Sequence, residues 1–132
     1  MKLASIRLVA ADIKAMVAFY ELVTGLPASW LAPVFAEIVT PGATLAIGSA
    51  DTVAQWSAGS AEPSANRTAV LELQVDDIDA EYARLEGKVE LVHGLKTMPW
   101  GNKTFQLRDP EGTAVSLYMP ATDEARRRFA SR

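Results

Sequence analysis

The chain has 132 residues, 49% of them hydrophobic and 22% charged, which suits one globular domain with a core of its own. A net charge of −3, with no basic run longer than Arg126-Arg127-Arg128, argues against nucleic-acid binding. The absence of cysteine rules out disulfides, thiolate metal sites and a thiol nucleophile.

Residues 5–10 alternate as a strand, and Asp12 then stands where a helix N-cap belongs. Arg7, Asp12 and Lys14 interrupt any signal-like apolar core, and no apolar segment approaches a membrane span. A cytoplasmic protein without a membrane partner is therefore expected. Met16, Phe19, Tyr20 and Val23 recur at helical spacing before Gly25. Trp30–Leu31, Phe35–Val39 and Thr44–Ile47 read as strands, with Thr40-Pro41-Gly42 as a turn. Residues 49–67 are rich in Ala, Ser and Gly and read as a linker.

The pattern then starts again. SIRLVAADIKAMVAFY (5–20) over VLELQVDDIDAEYARL (70–85), a shift of 65, matches Leu8, Asp12, Ile13, Ala15 and Ala18 with Leu73, Asp77, Ile78, Ala80 and Ala83. Asp77 precedes a second helical stretch that carries Ile78, Tyr82 and Leu85 and stops at Gly87. Val89–Val92, Thr104–Leu107 and Thr113–Met119 follow as strands, with Asp109-Pro110-Glu111-Gly112 as the matching turn. The expected organisation is one domain of two βαβββ modules, about 3–50 and 68–120, joined by a linker over about 51–67 and followed by a tail, 121–132.

Two such modules, with V-D-D-I before a helix, P-W-G before a strand and D-P-E-G before the last strand, resemble the vicinal oxygen chelate superfamily of glyoxalases, bleomycin-resistance proteins and extradiol dioxygenases. The resemblance implies an α+β fold in which curved mixed sheets surround a cleft. It also implies metal ligands on the first and last strand of each module. Those places, seven before Asp12 and Asp77 and four after Gly42 and Gly112, hold Ser5, Val70, Ala46 and Ser116. None of these is a His or a carboxylate, so no metal and no cofactor is expected there. The single histidine, His93, reads as a strand-end or loop residue with no identifiable catalytic partner.

Strand alternation puts Ile6, Leu8, Ala10, Leu71, Leu73, Val75, Leu45, Ile47, Val115 and Leu117 against the helices. The cleft side receives Arg7, Glu37, Glu72, Gln74, Gln106, Ser116 and Tyr118. Buried charges there need partners or water; Arg7 and Glu72 can pair with each other or meet a ligand. Trp30, Phe35, Met98, Trp100 and Phe105 fall in or beside loops that border such clefts in the family, while Trp56 reads as cover for the core or a subunit interface. The first functional reading is a metal-free, homodimeric protein that holds a small, aromatic or antibiotic-like molecule in the cleft. The alternative is a metal-independent isomerase, lyase or cyclase with Glu37 or Glu72 as base and Arg7 or Tyr118 stabilising negative charge. A metal-dependent lyase or dioxygenase with relocated ligands ranks last.

Overall fold

The structure, a computed structural model, describes residues 1–132. It divides into two units, Met1–Asn66 with Pro110–Gly112, and Arg67–Asp109 with Thr113–Arg132.

In the first unit, β1 (Ser5–Ala10), α1 (Ile13–Thr24), β2 (Ser29–Ala32), β3 (Phe35–Val39) and β4 (Thr44–Ser49) are followed by α2 (Ala50–Trp56). The strands form one sheet in the order β1-β4-β3-β2, with β1 parallel to β4 and the other pairs antiparallel. Asp12 caps α1, its Oδ1 accepting from the Ala15 N–H at 3.1 Å, and Gly25 ends the helix with φ 69°. Only glycine adopts that left-handed conformation without strain. Met16, Val17, Tyr20 and Val23 of α1 are buried, as are Ala36, Ile38, Leu45 and Ile47 of the sheet. Each large side chain in that set stabilises the fold by about 1.5–3 kcal/mol.

The second unit repeats the plan with β5 (Val70–Gln74), α3 (Ile78–Leu85), β6 (Glu90–Thr97), β7 (Asn102–Arg108) and β8 (Ala114–Pro120). Its order is β5-β8-β7-β6, with β5 parallel to β8. Asp77 caps α3 through the Ala80 N–H at 3.1 Å, as Asp12 caps α1. Ile78, Leu85, Leu107, Val115 and Leu117 are buried, and the Tyr82 ring of α3 meets Phe105 edge-on at 5.1 Å. Phe105 therefore belongs to the helix-covered core, not to an aromatic cleft border. No helix is long and apolar enough to cross a membrane.

Two helices depart from the sequence reading. α2 lies inside the segment read as linker, and α4 (Asp123–Ala130) occupies the supposed tail. Both are short and bury almost nothing, Val53 in α2 and Ala125 in α4, so neither carries the apolar stripe that announces a helix. The expected helix-facing row is also looser at the sheet edges. Ile6 on β1 is 41% exposed, because an edge strand has a neighbour on one side only.

Candidate functional site

The register sorts the first unit's side chains between two faces, since cross-strand partners share a face. Arg7 pairs with Ala46 and Ala46 with Glu37, so the three form one row across β1, β4 and β3. Strands stand about 4.8 Å apart, which puts the Arg7 and Glu37 backbones roughly 10 Å from each other with only a methyl group between them. The next row holds Val9, Gly48 and Phe35. A Cβ at Gly48 would stand 3.1 Å from Thr52 Oγ1 and in ordinary contact with the Phe35 ring and Arg7 Cδ, at 3.5 and 3.8 Å, so Phe35 and Arg7 approach the same place on the sheet. Ala46 thus forms the floor of a pocket of about 480 Å³, walled by Ala4, Ser5, Arg7, Phe35, Glu37 and Thr44. Neither Arg7 nor Glu37 makes an ion pair, which leaves a guanidinium and a carboxylate available at opposite sides of one small cavity.

The corresponding row in the second unit is Glu72, Ser116, Gln106 and His93. Here the middle is closed: Gln106 Nε2 donates to Ser116 Oγ at 3.0 Å, and Ser116 is 6% exposed. Ser116 sits between the core residues Val115 and Leu117 but on the face away from α3, as the strand phase required. Gln74 pairs with Tyr118 one row on. Burial, and next the charge of Glu72, push the Tyr118 phenol above its ordinary range, with Arg132 and Arg128 pulling the other way. Glu72 makes no ion pair. His93 lies within β6, not at a strand end or in a loop; its Nδ1 is 2.8 Å from the Gly94 carbonyl. The longer β6 hairpin brings it beside Gln106.

The aromatic candidates separate. Phe35 lines the first-unit pocket. Trp30 pairs with Ala36, whose side chain is in the core, so the register puts Trp30 on the face opposite the pocket; Ser29 stands beside Glu37 instead. A bulge follows between Trp30 and Ala32, and Trp30 lies in β2, not in a loop. Met98 and Trp100 sit in the turn between β6 and β7, closed by the Met98 N–H on Asn102 O at 2.8 Å and the Gly101 N–H on Met98 O at 2.8 Å. Trp100 is 57% exposed, and Trp56, at 78%, covers no core within this chain.

Sequence reasoning missed α4. Thr122 caps it through the Ala125 N–H at 3.1 Å, Asp123 and Glu124 begin it, and Arg127 and Arg128 end it. That capping and charge pattern was the available signal. The helix sets Phe129 against the Tyr118 ring, centroids 5.5 Å apart.

A family model described as the Glyoxalase/Bleomycin resistance protein/Dioxygenase superfamily matches residues 2–117, and the chain belongs to that superfamily. It is similar in structure to a glyoxalase/bleomycin resistance protein/dioxygenase from Nocardioides, with a TM-score of 0.76 and 25% identity over 93% of this chain and 85% of that one. A protein of unknown function from Agrobacterium tumefaciens str. C58 is 26% identical, with a TM-score of 0.76 over 90% of this chain and 94% of its own. A lactoylglutathione lyase from Agrobacterium tumefaciens shares the fold, with a TM-score of 0.70 and 23% identity over 88% of this chain and 91% of its own. No curated protein matches the chain.

The superfamily includes metal-dependent enzymes, and the residues here do not fit a divalent cation. Ser5, Ala46, Val70 and Ser116 supply neither imidazole nor carboxylate. No group of three or more His, Asp or Glu side chains is placed to hold a metal ion.

Proposed function

We propose that this chain is a metal-independent, small-molecule-binding member of the glyoxalase/bleomycin-resistance superfamily. One observation carries the reading: Ala46 leaves a cavity between Arg7 and Glu37, with Phe35 beside it. A cavity with an aromatic wall and two convergent, unpaired charges suits a compact organic molecule that carries both a hydrogen-bond acceptor and a donor. The ligand's flat part lies against Phe35, its acceptor meets Arg7 and its donor meets Glu37.

The same placement supports a second reading, a metal-independent isomerase, lyase or cyclase. Glu37 would take a proton from a bound substrate while Arg7 stabilises the negative charge that develops. The second unit offers a weaker version, with Glu72 as base and Tyr118 as hydrogen-bond donor. Both readings are tested together. A ligand library is screened by tryptophan fluorescence and thermal shift, and every hit is recovered after long incubation. Unchanged hits with affinity lost in Arg7→Gln support binding. Turnover abolished by Glu37→Gln, with binding spared, replaces binding by catalysis, because an amide cannot accept the proton.

The assembly we propose is a homodimer. β1 and β5 are edge strands, and Ile6 and Val70 expose apolar side chains on them; a second copy covers such edges. Light scattering that returns the 14.2 kDa monomer mass at micromolar concentration would reject it.

A further inference from the structure

Two arginines of the second unit, Arg128 and Arg132, make no ion pair. α4 seats Ala125 without exposed surface, and the next turn of the helix lays Phe129 on the Tyr118 ring at 5.5 Å. The guanidiniums of Arg128 and Arg132 both lie over that Phe129 ring, at 5.2 and 4.7 Å from its centroid. Arg126 differs, being paired with Asp123 at 2.9 Å. Arg128 gives one N–H to the Trp100 carbonyl at 3.0 Å, and neither Arg128 nor Arg132 makes an ion pair. A guanidinium carries five N–H donors, so most of this donor capacity is unmet by the protein. Glu72 acts on the Tyr118 phenol and makes no ion pair with either arginine.

We propose that Arg128 and Arg132, both over the Phe129 ring that packs on Tyr118, form a binding site for the carboxylate or phosphate group of a small organic molecule. The aromatic ring holds two guanidinium planes in place, so less side-chain freedom is lost when an oxyanion docks. Planar guanidiniums match two oxygens of one acid at once. Burial, and after it Glu72, disfavour the Tyr118 phenolate, so the ring packed against Phe129 brings no competing charge. This site lies wholly in the second unit and does not depend on the pocket over Ala46.

Inorganic phosphate and benzoate, titrated separately into the full chain at low salt, test the proposal through the arginine Nε–Hε signals in NMR. At least one anion should shift the Arg128 and Arg132 signals and saturate. Arg132→Gln should weaken that binding about tenfold, the worth of one charge-assisted contact. Arg127→Gln, which alters an exposed arginine of the same helix, should leave it unchanged. Preference for benzoate assigns a carboxylic acid; preference for phosphate assigns a phosphorylated ligand. Shifts that never saturate with either anion overturn the proposal, as does equal weakening by Arg127→Gln, which would mean diffuse charge attraction. Arg132→Gln is the deciding variant, because Arg128 also braces the Trp100 turn and its loss disturbs local structure. Ala46→Leu should leave anion binding intact, which separates this site from the first-unit pocket.

Discussion

Gln106 Nε2 donates to Ser116 Oγ at 3.0 Å across β7 and β8, and at the matching cross-strand place of the first sheet the Glu37 carboxylate, an acceptor, faces Ala46, which has nothing to donate. Two copies of one module thus treat the centre of the sheet oppositely. In the second it is closed by a side-chain hydrogen bond; in the first it is left empty. The difference is two residues wide, Ala46 against Ser116 and Glu37 against Gln106, and the first-unit pocket lies over Ala46.

Filling that space is therefore the most direct test of where the ligand sits. Ala46→Leu adds three carbons to the pocket floor, and any ligand found by the screen should bind at least tenfold more weakly, as judged by fluorescence titration. The alanine is itself buried, so some overpacking is expected, costing about 1–3 kcal/mol. A folded variant that still binds with wild-type affinity would move the ligand elsewhere.

A second expectation concerns the D-P-E-G turn. The Glu111 carboxylate accepts from the Ala11 N–H at 2.8 Å and the Asp12 N–H at 3.3 Å, and Ser64 Oγ donates to it at 3.2 Å. An acidic group at the start of α1 satisfies backbone donors that the helix leaves without partners and complements its positive end. Glu111→Ala should cost about 1–2 kcal/mol in urea unfolding, and Glu111→Gln, which keeps an oxygen but not the charge, should cost less. Equal stability of all three proteins would mean that solvent replaces the carboxylate without loss.

How much of this was legible beforehand follows from the range of each signal. The Asp12 and Asp77 caps, the Gly25 stop and the Asp109–Gly112 turn are local chemistry, and all appear where residue type and spacing placed them. Strand phase was legible wherever alternation ran unbroken, which is why Ser116 and Ala46 were assigned to the correct face. Strand extent was less legible: Trp30, read beside a loop, lies in β2, and His93, read at a strand end or in a loop, lies inside β6, which is longer than its apolar residues suggest and is itself irregular. Phe105 was misjudged because an aromatic beside a loop looks the same whether it borders a cleft or meets Tyr82 in the core. The cleft side of Arg7 and Glu37 was legible from alternation, but the space between them was not, since it arises from the contrast between Ala46 and charged neighbours on the strands to either side of it. α4 was overlooked for want of an apolar stripe, although its Thr122 cap and charge order were in plain view.

The docking of α4 gives a third test. Gly101 has φ 93°, and a Cβ there would stand 2.2 Å from Thr122 Oγ1 and 2.9 Å from Ala125 Cβ. Both the backbone conformation and the contact forbid a side chain. Gly101→Ala should destabilise the protein by about 1–3 kcal/mol through strain alone and push α4 off the turn that carries Trp100. Hydrogen exchange should then speed up over residues 123–130, with α1 unaffected. Unchanged protection in α4 would mean that the turn and the helix are not mechanically linked.

The last expectation follows from the Tyr118 phenol, whose pKa lies above the ordinary 10.0 because burial, and after it Glu72, disfavour the phenolate. In the unfolded chain the phenol loses its proton near 10.0. Between that pH and the higher folded value the native state keeps a proton that the unfolded state has released. The resulting stabilisation is complete below about pH 10 and is lost as pH rises through the folded pKa. Arg128 and Arg132 oppose the shift, so Arg132→Gln should move it further upward. The check is the difference in tyrosinate absorbance between wild type and Tyr118→Phe, titrated through the alkaline range. A difference curve centred at or below 10 would show that the phenol is solvated and unlinked to Glu72. A curve above 10 that moves higher still in Arg132→Gln and lower in Glu72→Gln would place both charges within electrostatic reach of one hydroxyl.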